Sequence, residues 1–434
     1  MINRFDSDLG DSAKPQDNSS RSGVTRRTFA AGAVATVLAA PSLVRAQPKR
    51  IPIGVVVGLT GRAGPWGTAV SDAVKLAVEQ INASGGIKSK GGALIDLTIA
   101  DHQSNPQMAG TQTERVIQVN DVLAVIGTAT SGATMVASAV AEKYKTPMLS
   151  TDAADSLTSR GFKYYFRIGA RAGKFSDMAV EFAVANVKAT GVAPKKVATI
   201  ADDSTFSQDA IKGVLARLKG TGWAFAENVS FQGGQVSDFA PILQRLRLSG
   251  VDMIFHAMFV PDAIQLVRSM KALNYDLMAS IHVLGAPYSA DFVAGLKSDS
   301  DYITDAVGYV PEMVQANPRL AAVGKAYKDR YNKELDDQSS LAVTAVGALY
   351  DALERTPELS REAIAAALRS TNLENGANPY IVRDGVKFDS NGDNAKAGAF
   401  VMQLIDQQQR IVYPPEKAST KLVWPMPKFS ARRS

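Results

Sequence analysis

The chain has 434 residues, 46% hydrophobic and 21% charged, which is enough for two or three folded units with sizeable cores. The formal net charge is +6 and the basic residues form no block, so a nucleic-acid partner is not expected. The absence of cysteine removes thiol catalysis, thiolate metal sites, disulfides and a lipid-modified N-terminal cysteine.

Residues 1–24 are polar in composition. Thr25-Arg26-Arg27-Thr28-Phe29, an apolar run at 30–40 and Val44-Arg45-Ala46 follow. Paired arginines, a short core of moderate hydrophobicity and a small-x-small site resemble a twin-arginine signal peptide. The apolar run is about half of the ~20 residues that a spanning helix needs. Cleavage after Ala46 and release into the periplasm are therefore expected.

Beyond Gln47, apolar runs and helical spacing alternate. Strands are predicted at 51–59, 94–100 and 122–127, with another beginning at Met148-Leu149. Helices are predicted at 68–82, 106–120 and 133–145, and residues 58–67 read as a glycine-rich loop. Residues 163–169 form a short aromatic strand with the look of a crossing segment. A second series has helices at 175–187, 207–219, 238–248 and 261–273, with strands at 196–201, 223–231, 251–258 and 281–284. Residues 306–310 suggest a second crossing. Helices at 318–333, 340–355 and 361–370 fit as cover for the first sheet, and 382–389 and 399–405 read as the last strands. Alternation without hairpin turns predicts an α/β fold of two Rossmann-like lobes with parallel-rich sheets, joined by a hinge. Residues 47–168 with 311–387 would form lobe 1; 169–310 with 388–434 would form lobe 2 and the C-terminal tail. Right-handed crossovers place the loops after the strands on one edge, where ligands of open sheets bind.

The loop Thr128-Ala129-Thr130-Ser131-Gly132 joins a buried strand to a helix. Its hydroxyls, free N–H groups and the positive end of the helix dipole can converge on a carboxylate. Equally, Ser131 or Thr130 could simply cap the helix. Trp66, Phe206 and Phe259 each fall just past a strand, where they could sandwich an apolar ligand body. Asp202-Asp203-Ser204 offers a carboxylate pair with no histidine or metal partner, and helix capping is its alternative. His102, His256 and His282 lack metal-ligand spacing, and no nucleophile elbow or phosphate loop occurs, so neither a cofactor, a metal nor an enzymatic activity is expected. Asp389-Ser390-Asn391-Gly392-Asp393 resembles a calcium loop, but its glycine is misplaced and no bidentate glutamate follows, which favours a tight turn.

Several stretches together resemble the leucine/isoleucine/valine-binding family of periplasmic solute receptors, with the type I fold, that feed ABC importers. They are IPIGVVVGLTGRAGPWG, AVEQINASGGI, VLAVIGTATSGAT, PMLSTDAADSLT, KYYFRIGA, VATIADDSTFSQD and DFAPILQRLRLSGVDMIF, spread over 50–405. The resemblance implies that Thr130 and Ser131 hold a ligand carboxylate. It puts Asp152, Ala153 and Ala154 in the loop facing the ammonium end, and Trp66, Phe206, Phe259 and Leu341 along the apolar wall. It also implies an inner-membrane ABC permease as partner, a small carboxylate as ligand and a monomeric chain. One departure stands out. Amino-acid binders carry an acid after the strand at 281–284, where this chain has Gly285-Ala286-Pro287-Tyr288. Asp152 or Asp202 could replace that acid, which keeps a branched-chain or other hydrophobic amino acid as the leading ligand. Otherwise the ligand is an aromatic or aliphatic carboxylate without an amino group. A ligand-sensing receptor component and an exported hydrolase using Asp202 and Asp203 are the rival functions.

Overall fold

The computed structural model describes residues 49–315 and 317–432. The signal segment expected at 1–46 lies outside them. The first half builds a five-stranded sheet from β1 (Arg50–Val57), β2 (Leu94–Asp101), β3 (Ala124–Thr128), β4 (Met148–Ser150) and β5 (Tyr165–Arg167), in the order β2-β1-β3-β4-β5. All neighbours are parallel. Helices α1 (Gly64–Ala83), α2 (Pro106–Gln118) and α3 (Ser131–Lys143) supply the crossovers. Both faces of this sheet are covered, as a parallel sheet requires. Val55 and Val57 belong to the main core with α1, whereas Val56 joins a separate cluster with residues of α2 and α3.

The chain then runs through α4 (Ala172–Thr190), β6 (Val197–Asp202), α5 (Thr205–Leu218), β7 (Phe225–Phe231), α6 (Ala240–Leu248), β8 (Met253–Ala257), α7 (Val260–Ala272), β9 (Ala279–Val283), α8 (Ala290–Leu296) and β10 (Thr304–Val307). Helices α9 (Glu312–Gln315), α10 (Pro318–Tyr331), α11 (Asp337–Arg355) and α12 (Arg361–Arg369) follow, and α11 packs on α1. Four short strands end the fold: β11 (Asn372–Glu374), β12 (Gly385–Lys387), β13 (Phe400–Ile405) and β14 (Gln408–Tyr413). The second sheet has seven strands in the order β14-β13-β10-β9-β8-β6-β7.

Three sequence expectations change. The chain does contain hairpin pairing: β13 runs antiparallel to both β10 and β14, and β11 pairs antiparallel with β12. The β13–β14 turn places Asp406 and Gln407 at φ 49° and 60°, the mirror-image two-residue turn. Neither residue carries the Asn-Gly signature, so the hairpin is invisible to pattern reading. The predicted crossing at 306–310 lies partly within the sheet, because β10 is an interior strand between β9 and β13. The predicted loop 58–67 ends early, since Gly64 to Gly67 form the first turn of α1 with Pro65 at a position that needs no N–H. A Cβ on Gly67 would lie 2.0 Å from the Gly58 carbonyl oxygen. That close approach is open only to glycine.

His256 and His282 sit in the middle of the second sheet with rings stacked 4.6 Å apart. His256 Nε2 lies 2.9 Å from Ser280 Oγ. Burial pushes the His256 imidazole down to about 3, and burial with the neighbouring His256 holds His282 well below the usual value. The unfolded chain therefore binds protons from its ordinary histidine range downward while the folded chain does not. Stability should fall as pH drops from about 6.5 toward about 3, by up to ~1.4 kcal/mol per pH unit for each histidine. Urea unfolding of wild type and His282→Phe over this range checks it; the variant should lose up to one proton from the slope, and an unchanged slope would refute the assignment.

Candidate functional site

Strand order reverses at two places, between β1 and β3 in the first sheet and between β6 and β8 in the second. Such reversals leave a crevice outside the C-terminal ends of the strands. The loops after these four strands line one cavity of about 220 Å³, which thus sits between the two sheets. Contacts between the loops of the two sheets include Arg62 to Asp203 at 3.8 Å, beside the cavity, and Ser156 N–H and O–H donating to Asp209 at 3.3 and 3.2 Å.

The β3–α3 loop forms one end. Thr130 occupies the N-cap position of α3 with extended φ −149° and ψ 129°, yet no side chain caps the helix. Ser131, Gly132 and Ala133 line the cavity, so the uncapped first-turn N–H groups meet it with the positive end of a 13-residue helix. The capping alternative for Thr130 and Ser131 therefore fails. Ser131 Oγ accepts from Ala154 N–H at 3.2 Å, which leaves the Ser131 proton free to donate.

Trp66, Phe206 and Phe259 all line the cavity. However, Trp66 and Phe259 touch each other, with ring centroids 4.4 Å apart at 32°, and Tyr288 stacks 6.3 Å from Trp66. They form one composite aromatic wall rather than two plates around a ligand, because Phe259 at the N-cap of α7 meets the first turn of α1 directly. Arg62 lies 4.5 Å over the Phe259 ring. Arg62, Tyr288 and Gln338 line the cavity and were missed from sequence. Tyr288 occupies the segment that lacks the expected acid, and burial pushes its hydroxyl well above the usual range, with Asp337, Asp336 and Asp305 adding to the effect. Gln338 stands in the first turn of α11, held by the capping box of Asp336 with Ser339.

Asp152 lines the cavity, with one of its two carboxylate oxygens engaged. Asp152 Oδ2 accepts from Thr128 N–H at 3.1 Å, Thr134 O–H at 2.5 Å and Ser150 O–H at 3.3 Å. Burial raises the Asp152 carboxyl above its ordinary value, and these donors offset only part of that. Asp202 is fully buried, accepts from Phe259 N–H and Ser204 N–H, and does not line the cavity. Asp203 reaches the cavity beside Arg62. Ser204 does cap α5. Ala153 lines the cavity, but Ala154 and Leu341 do not. Ala154 faces away because its carbonyl accepts from Arg167 at 2.8 Å, and Leu341 is spent packing against Gly169. The Asp389–Asp393 segment is a turn in which Asp389 Oδ1 accepts from Asn391 and Asp393 N–H.

Two parallel-rich sheets facing each other across a cavity at their switch points match the fold of type I periplasmic binding proteins. The chain belongs to the periplasmic binding protein family, whose sequence profile matches residues 50–409. It is similar to Leu/Ile/Val-binding protein homolog 7 of Brucella melitensis, 28% identical over 390 residues that cover 86% of this chain and 94% of that one. Its fold is similar to that of the branched-chain amino acid transporter substrate binding protein LivJ from Streptococcus pneumoniae in complex with isoleucine, at TM-score 0.72 and 24% identity, over 84% of this chain and 100% of that chain. A similar fold occurs in a solute binding protein of an ABC transporter from Rhodopseudomonas palustris in complex with 3,4-dihydroxy benzoic acid, at TM-score 0.71 and 18% identity, over 87% of this chain and 98% of that chain.

Proposed function

We infer that this chain is the periplasmic substrate-binding component of an ABC importer and takes a small carboxylate with an apolar body into the cavity between its two lobes. The uncapped N-terminus of α3 beside a hydroxyl with a free proton carries the reading. Residues 47–168 with 311–387 act as one lobe and 169–310 with 388–434 as the other, and closure around the ligand changes the surface offered to the permease. No covalent chemistry is needed for this role. Two ligand classes fit the aromatic wall: a hydrophobic amino acid, in keeping with the relatives' names, and an acid without an amino group, in keeping with the benzoate-type ligand of the Rhodopseudomonas neighbour.

Isothermal titration of the purified chain with leucine, phenylalanine, isocaproate and benzoate tests the carboxylate site. Ser131→Ala should weaken whichever of these binds by about 1–3 kcal/mol, through the lost donor to a buried anion. Unaltered affinity in the variant would remove Ser131 from the site.

A further inference from the structure

The loop after β4 serves both the cavity and the opposite half of the molecule. Asp152 and Ala153 line the cavity, and Ala154 N–H donates to Ser131 Oγ at 3.2 Å. The same short loop also grips the helices that accompany the second sheet. The Ala153 carbonyl accepts from Ala172 N–H at 2.6 Å, and Asp155 Oδ1 accepts from Gly173 N–H at 3.1 Å. Asp155 thereby satisfies a first-turn donor of α4, whose own N-cap residue Arg171 supplies no side-chain cap. Ser156 then donates its N–H and O–H to Asp209 Oδ2 at 3.3 and 3.2 Å.

The two attachments differ in where they lie. Helix α4 follows directly on the crossing from β5, so the Asp155 bond sits beside a hinge. Asp209 lies within α5, beyond β6, and is carried by the second sheet. Separation of the halves therefore strains the Ser156–Asp209 bonds before the Asp155 bond. Ser156 and Asp209 are both half-buried, and neither lines the cavity. The other link nearby, Arg62 to Asp203 at 3.8 Å, is half-exposed and contributes little as an ion pair. Arg62 also lines the cavity, so its effect on closure cannot be separated from contact with a ligand. Hydrogen bonds to a carboxylate are stronger than those between neutral groups, which makes Asp209 the more effective tie.

We propose that Asp209 is a positioning residue for ligand binding: by holding Ser156 it clamps the two lobes together and sets the affinity for every ligand without touching any. The proposal rests on the reading of two lobes that close around a ligand and names the contact that biases this closure. Any contact made only in the closed form raises its population, and apparent affinity follows the population of the form that encloses the ligand. The clamp lies outside the cavity, so its contribution is the same for each ligand. The loop that brings Asp152 and Ala153 to the cavity is also the loop that carries Ser156, which couples the clamp to the site.

The chain has no cysteine, so two introduced ones can be labelled cleanly. Gln107→Cys and Lys212→Cys, at exposed positions of α2 and α5, take spin labels whose separation reports the opening of the lobes by double electron–electron resonance. Without ligand, Asp209→Ala should shift the ratio of short to long separations toward the long by about three- to tenfold, the effect of losing two hydrogen bonds that water partly replaces. Calorimetric titration with leucine, phenylalanine, isocaproate and benzoate should show every probe that binds weakened by that same factor, with their rank order kept. Asp209→Asn, which retains an oxygen for Ser156, should recover part of both effects. An unchanged distance distribution in Asp209→Ala would overturn the clamp, as would weakening of one probe but not another, which marks a ligand contact. A fall in thermal stability with neither readout altered would show a merely structural residue and also overturn it. Failure of all four probes to bind would remove the carboxylate reading, while the distances measured without ligand still decide the clamp. A single separation, the same with and without each probe, would overturn the closure reading and the clamp with it.

Discussion

Replacing Arg167 with Met is expected to lower the unfolding free energy by about 3–5 kcal/mol, the effect of removing one member of a buried charged network. Arg167 is wholly buried on the edge strand β5. Its guanidinium donates to the carbonyls of Ala153 and Ala154 and to Thr158 Oγ1 at 2.6, 2.8 and 3.0 Å. Its Nε lies 2.8 Å from Asp393 Oδ1 as a charge contact, without the alignment of a hydrogen bond. Methionine fills a similar volume but leaves two buried carbonyls and one carboxylate without their partner. Arg167→Lys should recover part of the loss, because it keeps the charge and forfeits the fork that reaches several oxygens at once. Urea unfolding at neutral pH gives the numbers, and a loss under about 1 kcal/mol for Arg167→Met would contradict the network. The same substitution should weaken ligand binding, since Arg167 braces the loop whose Ala154 N–H holds Ser131.

Trp66→Ala is the second large effect. The indole is 5% exposed and contacts Phe259 and Tyr288, which belong to the opposite sheet's loops. Truncating a buried aromatic of this size costs ~3–5 kcal/mol through lost burial and the cavity left behind. Much of that loss should fall on the contact between the two halves. The variant should then bind aromatic acids at least about tenfold more weakly, since the wall that receives the ring is gone. Unfolding curves and titrations on the same preparation separate the two effects. Full stability in the variant would show that the ring contacts add little, and full affinity would show that the ligand body lies elsewhere.

Much of this site was legible in the sequence because it depends on order along the chain. A buried strand, a run of small hydroxyl residues and a helix in succession located Thr130 and Ser131, and the alternation of elements put Trp66, Phe206 and Phe259 on the same edge. Arg62 escaped notice because a lone arginine in a glycine-rich loop looks like any exposed charge. Gln338 escaped because helical spacing alone did not reveal that α11 begins at Asp337. Leu341 was assigned to the wall by resemblance, yet one helical turn further along the same helix its side chain packs on Gly169 instead.

The sequence by itself determined the α/β class, the parallel sheets and the loops that could meet a ligand, since these follow from local periodicity and from the handedness of crossovers. Only the tertiary structure decided which residues come together around the cavity. Whether a carboxylate such as Asp152 is available or already committed depends on Thr128, Thr134 and Ser150 converging on one of its oxygens. Whether Trp66 faces Phe259 or a ligand depends on how closely two separate sheets approach, 4.4 Å between rings. Both are properties of distances between residues far apart in the chain, and no local pattern encodes them.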